Sequence, residues 1–195
     1  TGLFVGLGGM FGYVSFIVEA IPKAVLAPIL IFVALDIMTQ AFSAVPLAHV
    51  PAVAFAYIPN VARLMQIKLS NPEFVPMEKF NELMIHKGTV LPEMLVTVAL
   101  GNGFILTAML WVAFVSKVID RNLKQASIFL IVLAFLTFFG IIHSVIPDGN
   151  MYLPWNLPNP AQLVPYQFSL GYLILAAMFF LLSFTKESNE EGIKH

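Results

Sequence analysis

One carboxylate in this sequence falls inside a long apolar run. Asp36 sits in the stretch 24–42, about 18 Å along a helix that rises 1.5 Å per residue. If that run crosses a bilayer, Asp36 lies near its middle, where a charged side chain costs about 2.5–3.5 kcal/mol on insertion scales. Two chemistries follow. A submerged carboxylate relays protons or cations, or faces a solute path; alternatively it stays protonated and bonds a neighbouring helix, or Thr39 or Gln40 one turn on. A second candidate is Asn102, flanked by Gly101 and Gly103 within the run 89–115. Two glycines around an amide open a helix and expose half-helix ends to an ion, or they let helices approach closely while the amide bonds across the contact. Asp36 and Asn102 are thus the candidate intramembrane polar or ion-path residues.

Other residue types narrow the chemistry. His49, His86, His143 and His195 are scattered, none with a second ligand three or four residues on, and there is no Cys, so neither a metal site nor thiol chemistry is expected. HExxH and GxSxG are absent, which leaves no catalytic residue to name and points away from an enzyme. Gly6-x-Gly8 is followed by Phe11 where a dinucleotide loop needs its third Gly, and no cofactor is expected. Gly2/Gly6 and Gly8/Gly12 instead fit close helix packing. Glu19, Arg63, Glu93 and His143 fall near the ends of apolar runs, where such side chains reach water and act as anchors.

The elements that would position these residues are membrane helices. Of 195 residues, 59% are hydrophobic and only 11% charged, with a mean hydropathy of +0.87, against roughly 25% charged in a soluble domain. A net charge of −1 gives no field to draw nucleic acid. Apolar runs at about 1–18, 24–42, 50–65, 89–115, 126–146 and 166–184 are near the ~20 residues of a span. They lack the strict alternation of a barrel, so the expected fold is an all-α, polytopic helical membrane protein with about six transmembrane helices. The third run is short enough to be re-entrant. Residues 70–88 form a polar connection, in which Met77, Phe80, Leu83 and Met84 share one face of an amphipathic helix opening at Pro76. In the proline-rich connection 147–165 and just after it, Tyr152, Trp155 and Tyr166 fit an interfacial aromatic belt. Three spans occupy 89–184, and 185–195 is a polar tail.

With six spans, Lys117, Arg121, Lys124, Lys186 and Lys194 gather on one face and Lys23, Arg63, Lys68, Lys79 and Lys87 on the other. The turn around Arg121 concentrates its basic residues, whereas 147–165 has none, so the turn and the tail are expected in the cytoplasm. The chain opens at Thr1 inside an apolar run and reads as a fragment of a longer protein.

The stretch Ala20-Ile21-Pro22-Lys23-Ala24-Val25-Leu26-Ala27-Pro28-Ile29-Leu30-Ile31-Phe32-Val33-Ala34-Leu35, with Met38 after it and His49-Val50-Pro51-Ala52-Val53-Ala54-Phe55 beyond, resembles xanthine/uracil permeases of the nucleobase:cation symporter-2, or nucleobase–ascorbate, family. It is nearest the hypoxanthine/guanine-permease branch. The resemblance covers about a third of the chain. It implies that 1–69 are the end of the transport core and the start of the gate of a fourteen-helix inverted-repeat permease, with extra helices after it. The implied partners are the lipid bilayer, a small-molecule substrate, a coupling cation and a second copy docked through the gate helices. The implied location is a bacterial inner (plasma) membrane, and the substrate-binding residues would lie upstream of Thr1. Ala34 stands where the family has Gly, and Asp36 adds a charge to a gate helix.

Overall fold

In the computed structural model the described residues are 6, 9, 22–76, 78–79, 90–146, 149–153, 155 and 163–192, and among them there is no strand. The chain is all-helical and divides into two compact units, residues 1–46 and 47–195.

The first unit contributes α1 (Lys23–Ser43). Val25, Ile29, Leu30, Ile31, Phe32, Val33, Leu35 and Ile37 are exposed, Phe32 to 73%, and its segment Val25–Ser43 is long and apolar enough to cross a membrane. A helix apolar all round is stable only in lipid or among other helices.

In the second unit a short 3-10 turn, Leu47–His49, leads into α2 (Val50–Phe55) and α3 (Tyr57–Leu69). There follow α4 (Val90–Gly101), α5 (Phe104–Ile119), α6 (Leu123–Phe138) and α7 (Leu163–Gly192). Helix α3 buries Pro59, Ala62 and Gln66, one face at helical spacing, against α4. α5 lies against α2, α3 and α6, and α7 runs along α6. Leu130, Leu133 and Ala134 of α6 meet Tyr172 and Ala176 of α7 in a core that also takes in Ile142. A second core joins Leu95 and Ala99 of α4 to Val145, Tyr152 and Val164.

Helix ends are closed by local bonds. Arg121, at φ 57°, ends α5: its N–H donates to Val118 O at 3.0 Å and the Asn122 N–H to Lys117 O at 2.9 Å. That is a Schellman turn with Arg in the left-handed place usually held by Gly. The Asn122 side chain then caps α6 by accepting the Gln125 N–H. α6 ends in the same way at Gly140, φ 69°, with Gly140 N–H on Thr137 O and Ile141 N–H on Leu136 O.

α1 coincides with the expected second span and Leu163–Thr185 with the sixth. The expected fourth span exists as two helices, Glu93–Gly101 and Phe104–Ile119, bent 84° at the glycines. The described residues therefore hold two helices long and apolar enough to cross a membrane singly, or up to three spans if the bent pair counts as one. The third run is divided at Ala56, and the fifth forms a helix only to Phe138. The first run lies outside the described residues apart from Gly6 and Gly9, as does the amphipathic helix after Pro76 apart from Glu78 and Lys79. Tyr152 of the expected aromatic belt is buried, whereas Trp155 is exposed.

Candidate functional site

The break in the α4–α5 span is where the polar side chains of the second unit converge. Helix α4 ends as the Asn102 N–H donates to Val98 O, and α5 begins as the Thr107 N–H donates to Gly103 O, both at 3.0 Å. Between them Gly103 adopts φ 69°. A Cβ on Gly103 would lie 2.8 Å from Ile141 O, so both the conformation and the space require glycine. On the other side, Gly101 faces α3 so closely that a Cβ there would meet Gln66 Oε1 and the Arg63 backbone.

Irregular backbone at membrane depth persists only where protein satisfies it. Here the loop after α6 does so. Its ends are tied by the Tyr152 N–H on Phe139 O at 3.2 Å, and Ile142, His143, Ser144 and Val145 are buried. The His143 N–H donates to Asn102 O at 3.1 Å. In return Asn102 Nδ2 donates to Ser144 O at 2.8 Å and Ile146 O at 2.7 Å. Asn102 Oδ1 accepts from Gln66 Nε2 at 3.1 Å, and Gln66 Oε1 accepts from Arg63 at 2.9 Å. A polar chain thus runs Arg63–Gln66–Asn102 into the bend. Beside it lies a cleft of about 250 Å³, lined by Arg63, Gly101, Asn102, Gly103, Gly149 and the first turn of α5.

His143 is the second centre. Its expected place near a span end, within reach of water, is corrected: it is fully buried and bonds Tyr172, near the middle of the Leu163–Thr185 segment. The reason is that α6 stops at Gly140 and the apolar residues after it fold back into the bundle. Trp111 Nε1 donates to the Tyr172 hydroxyl at 2.9 Å, and Tyr172 Oη lies 2.8 Å from His143 Nε2. His143 Nδ1 lies 3.3 Å from Ala99 O. Because a carbonyl only accepts, the tautomer that uses every group carries its proton on Nδ1, with Nε2 accepting from Tyr172. The imidazole also stacks on Phe168, centroids 4.7 Å apart, and Phe55 lies against Trp111 at 5.0 Å.

Of the two residues singled out by sequence, Asn102 stands at this break and Asp36 belongs to the other unit. Asp36 Oδ2 accepts from Gln40 Nε2 at 2.7 Å along the exposed face of α1, while Thr39 bonds the Leu35 carbonyl. Gln66 and Tyr172 were not singled out, and His143 only as a span-end anchor. Gly140 is the signal that places His143 off the helix, since Gly at that position ends helices. At the Arg121 end, His49 Nε2 lies 2.7 Å and Lys117 Nζ 3.8 Å from the Asp120 carboxylate. Among the described residues no three of His, Asp and Glu come together as a metal site. No family model, curated protein or solved structure matches the chain.

Proposed function

We propose that this chain is the C-terminal part of a secondary-active membrane transporter, with the break between α4 and α5 on the path of a small solute. One observation carries the reading: an apolar span bent 84° at Gly101-Asn102-Gly103, with a cleft of about 250 Å³ lined on one side by Arg63. Discontinuous helices that present backbone and a few polar side chains at mid-membrane are how transporters build solute and ion sites. The guanidinium favours a solute that is anionic or rich in acceptors. The similarity of the stretch from Ala20 to Leu35 to xanthine/uracil permeases supports nucleobases or related small molecules as that solute, moved by a cation gradient. On this reading the chain resides in a bacterial plasma membrane, with the Arg121 turn and the tail cytoplasmic, and a second copy docks through the gate helices.

The test is uptake. Full-length protein in liposomes is expected to accumulate labelled hypoxanthine, guanine or uracil when a proton or sodium gradient is imposed, and Arg63→Gln is expected to lower that uptake at least tenfold. If neither a nucleobase nor a related anion moves with or without a gradient, the nucleobase assignment fails. A different reading, a non-transporting membrane scaffold or complex subunit, is favoured by one observation: the Asn102 amide is fully engaged by Gln66, Ser144 and Ile146. It predicts that Asn102→Ala alters assembly of a complex and leaves solute flux unchanged.

A further inference from the structure

The carbonyl of Ala99 has two possible donors, and they belong to two different shapes of the same span. In an uninterrupted helix the Gly103 N–H would donate to Ala99 O, four residues back. In the structure Gly103 is left-handed instead, and the imidazole of His143 stands in its place, Nδ1 3.3 Å from that oxygen. Gly103 is the residue type that occupies left-handed and right-handed backbone about equally well. We infer that the α4–α5 span is a two-state hinge, bent or straight, and that His143 is the positioning residue that holds it bent by occupying the Ala99 carbonyl.

Three features make His143 suited to this. Its backbone is itself left-handed, φ 55°, a conformation that costs a non-glycine residue about 1–3 kcal/mol and persists only where its surroundings impose it. The bent state carries that cost, so the contacts around His143 must hold it in place. The Tyr172 hydroxyl at 2.8 Å from Nε2 selects the Nδ1–H tautomer, the one that can donate to Ala99; the α7 helix therefore controls the hinge through one hydrogen bond. The His143 N–H on Asn102 O ties the same residue to the far side of the break. When the span straightens, the loop loses its hold on both Ala99 and Asn102, and the cleft beside Arg63 loses the wall formed by Gly149. Interfaces of this kind switch between discrete arrangements and do not deform continuously. The hinge goes beyond the transport reading, because it concerns the conformations of the span whatever passes through it.

Residues 1–195 contain no Cys, so spin labels placed among them report on defined positions once any cysteine elsewhere in the full-length protein is changed to serine. Glu93→Cys and Lys117→Cys in the full-length protein, in nanodiscs, put one label on each arm. At 1.5 Å per residue the arms hold the two positions about 26 Å apart at the 84° bend and about 36 Å apart when straight. Pulsed electron–electron distance measurements are expected to give the short distance with native His143. His143→Gly tolerates the left-handed backbone but has no donor, and is expected to bring in a population about 10 Å longer. Tyr172→Phe, which frees the tautomer and also removes the acceptor of the Trp111 N–H, is expected to do so to a smaller extent. His143→Asn supplies both a left-handed-tolerant backbone and an amide N–H, and is expected to restore the short distance. Unchanged short distances in His143→Gly and Tyr172→Phe would overturn the inference, as would a long population in His143→Asn equal to that in His143→Gly. If His143→Gly does not give a monodisperse helical protein, the Tyr172→Phe distribution decides alone. No transport is measured, so failure of the hinge and failure of the transport reading are separate results.

Discussion

Asn102 and His143 hold each other from opposite sides of a break in the same bundle: the His143 N–H donates to the Asn102 carbonyl, and the Asn102 amide donates to the carbonyls of Ser144 and Ile146 just beyond His143. Neither residue lies in a helix at that point, and each satisfies backbone groups that the other's chain has left open. Asn102→Leu keeps the approximate volume and removes all three side-chain bonds. With one buried and one part-buried carbonyl losing their donor, the loss is expected at about 2–3 kcal/mol, read as a lower midpoint in detergent unfolding. A midpoint equal to the native one would mean that water replaces the amide.

Gly103 and Gly140 are both left-handed, and a Cβ on either would meet atoms closer than 3.0 Å, Ile141 O in one case and the Tyr152 ring in the other. Gly103→Ala and Gly140→Ala are each expected to cost at least about 1–2 kcal/mol from backbone alone. Gly171, with nothing within 4 Å of a Cβ, is the control: Gly171→Ala is expected to leave the thermal midpoint unchanged or slightly raised, because alanine favours helix.

The hydroxyl of Tyr172 serves two partners at once, accepting from Trp111 and bonding His143. Trp111→Phe and Tyr172→Phe should therefore not be additive. A double-mutant cycle is expected to show a coupling of about 0.5–1.5 kcal/mol, and a coupling near zero would show that the hydroxyl bonds only His143.

Among the described residues, Asp36 bonds within its own helix, to Gln40. Asp36→Leu is accordingly expected to improve membrane insertion of the Val25–Ser43 segment by about 3–4 kcal/mol, the difference between the two side chains near a span centre. The measurement is the inserted fraction in a glycosylation-based insertion assay. Insertion left unchanged by the substitution would show that the carboxylate is already shielded during insertion.

The helical character of the chain was legible because it depends on length and apolarity, which are local: α1 and α7 fall where the runs 24–42 and 166–184 place them. Asn102 was legible for a similar reason, since two flanking glycines interrupt a helix wherever they occur. His143 was not. Residues 141–146 are as apolar as the helix before them, and hydropathy does not distinguish a span that continues from a loop that turns back into protein; only Gly140 marks the difference. Gln66 and Tyr172 escaped notice because their importance comes from partners 36 and 29 residues away, and no spacing rule within a helix reports such a pairing.

The Schellman turn at Arg121 has a consequence for how this protein is made. Its bonds, together with the Asn122 cap, draw only on residues between Lys117 and Gln125, so α5 and α6 can close into a helical hairpin as soon as both have left the ribosome. The turn itself draws nothing from α7. The bend above it is different: it waits for Ser144, Ile146 and finally Tyr172, all synthesised later. During synthesis, a turn whose bonds are complete by Gln125 thus precedes a break whose last partner, Tyr172, emerges much later.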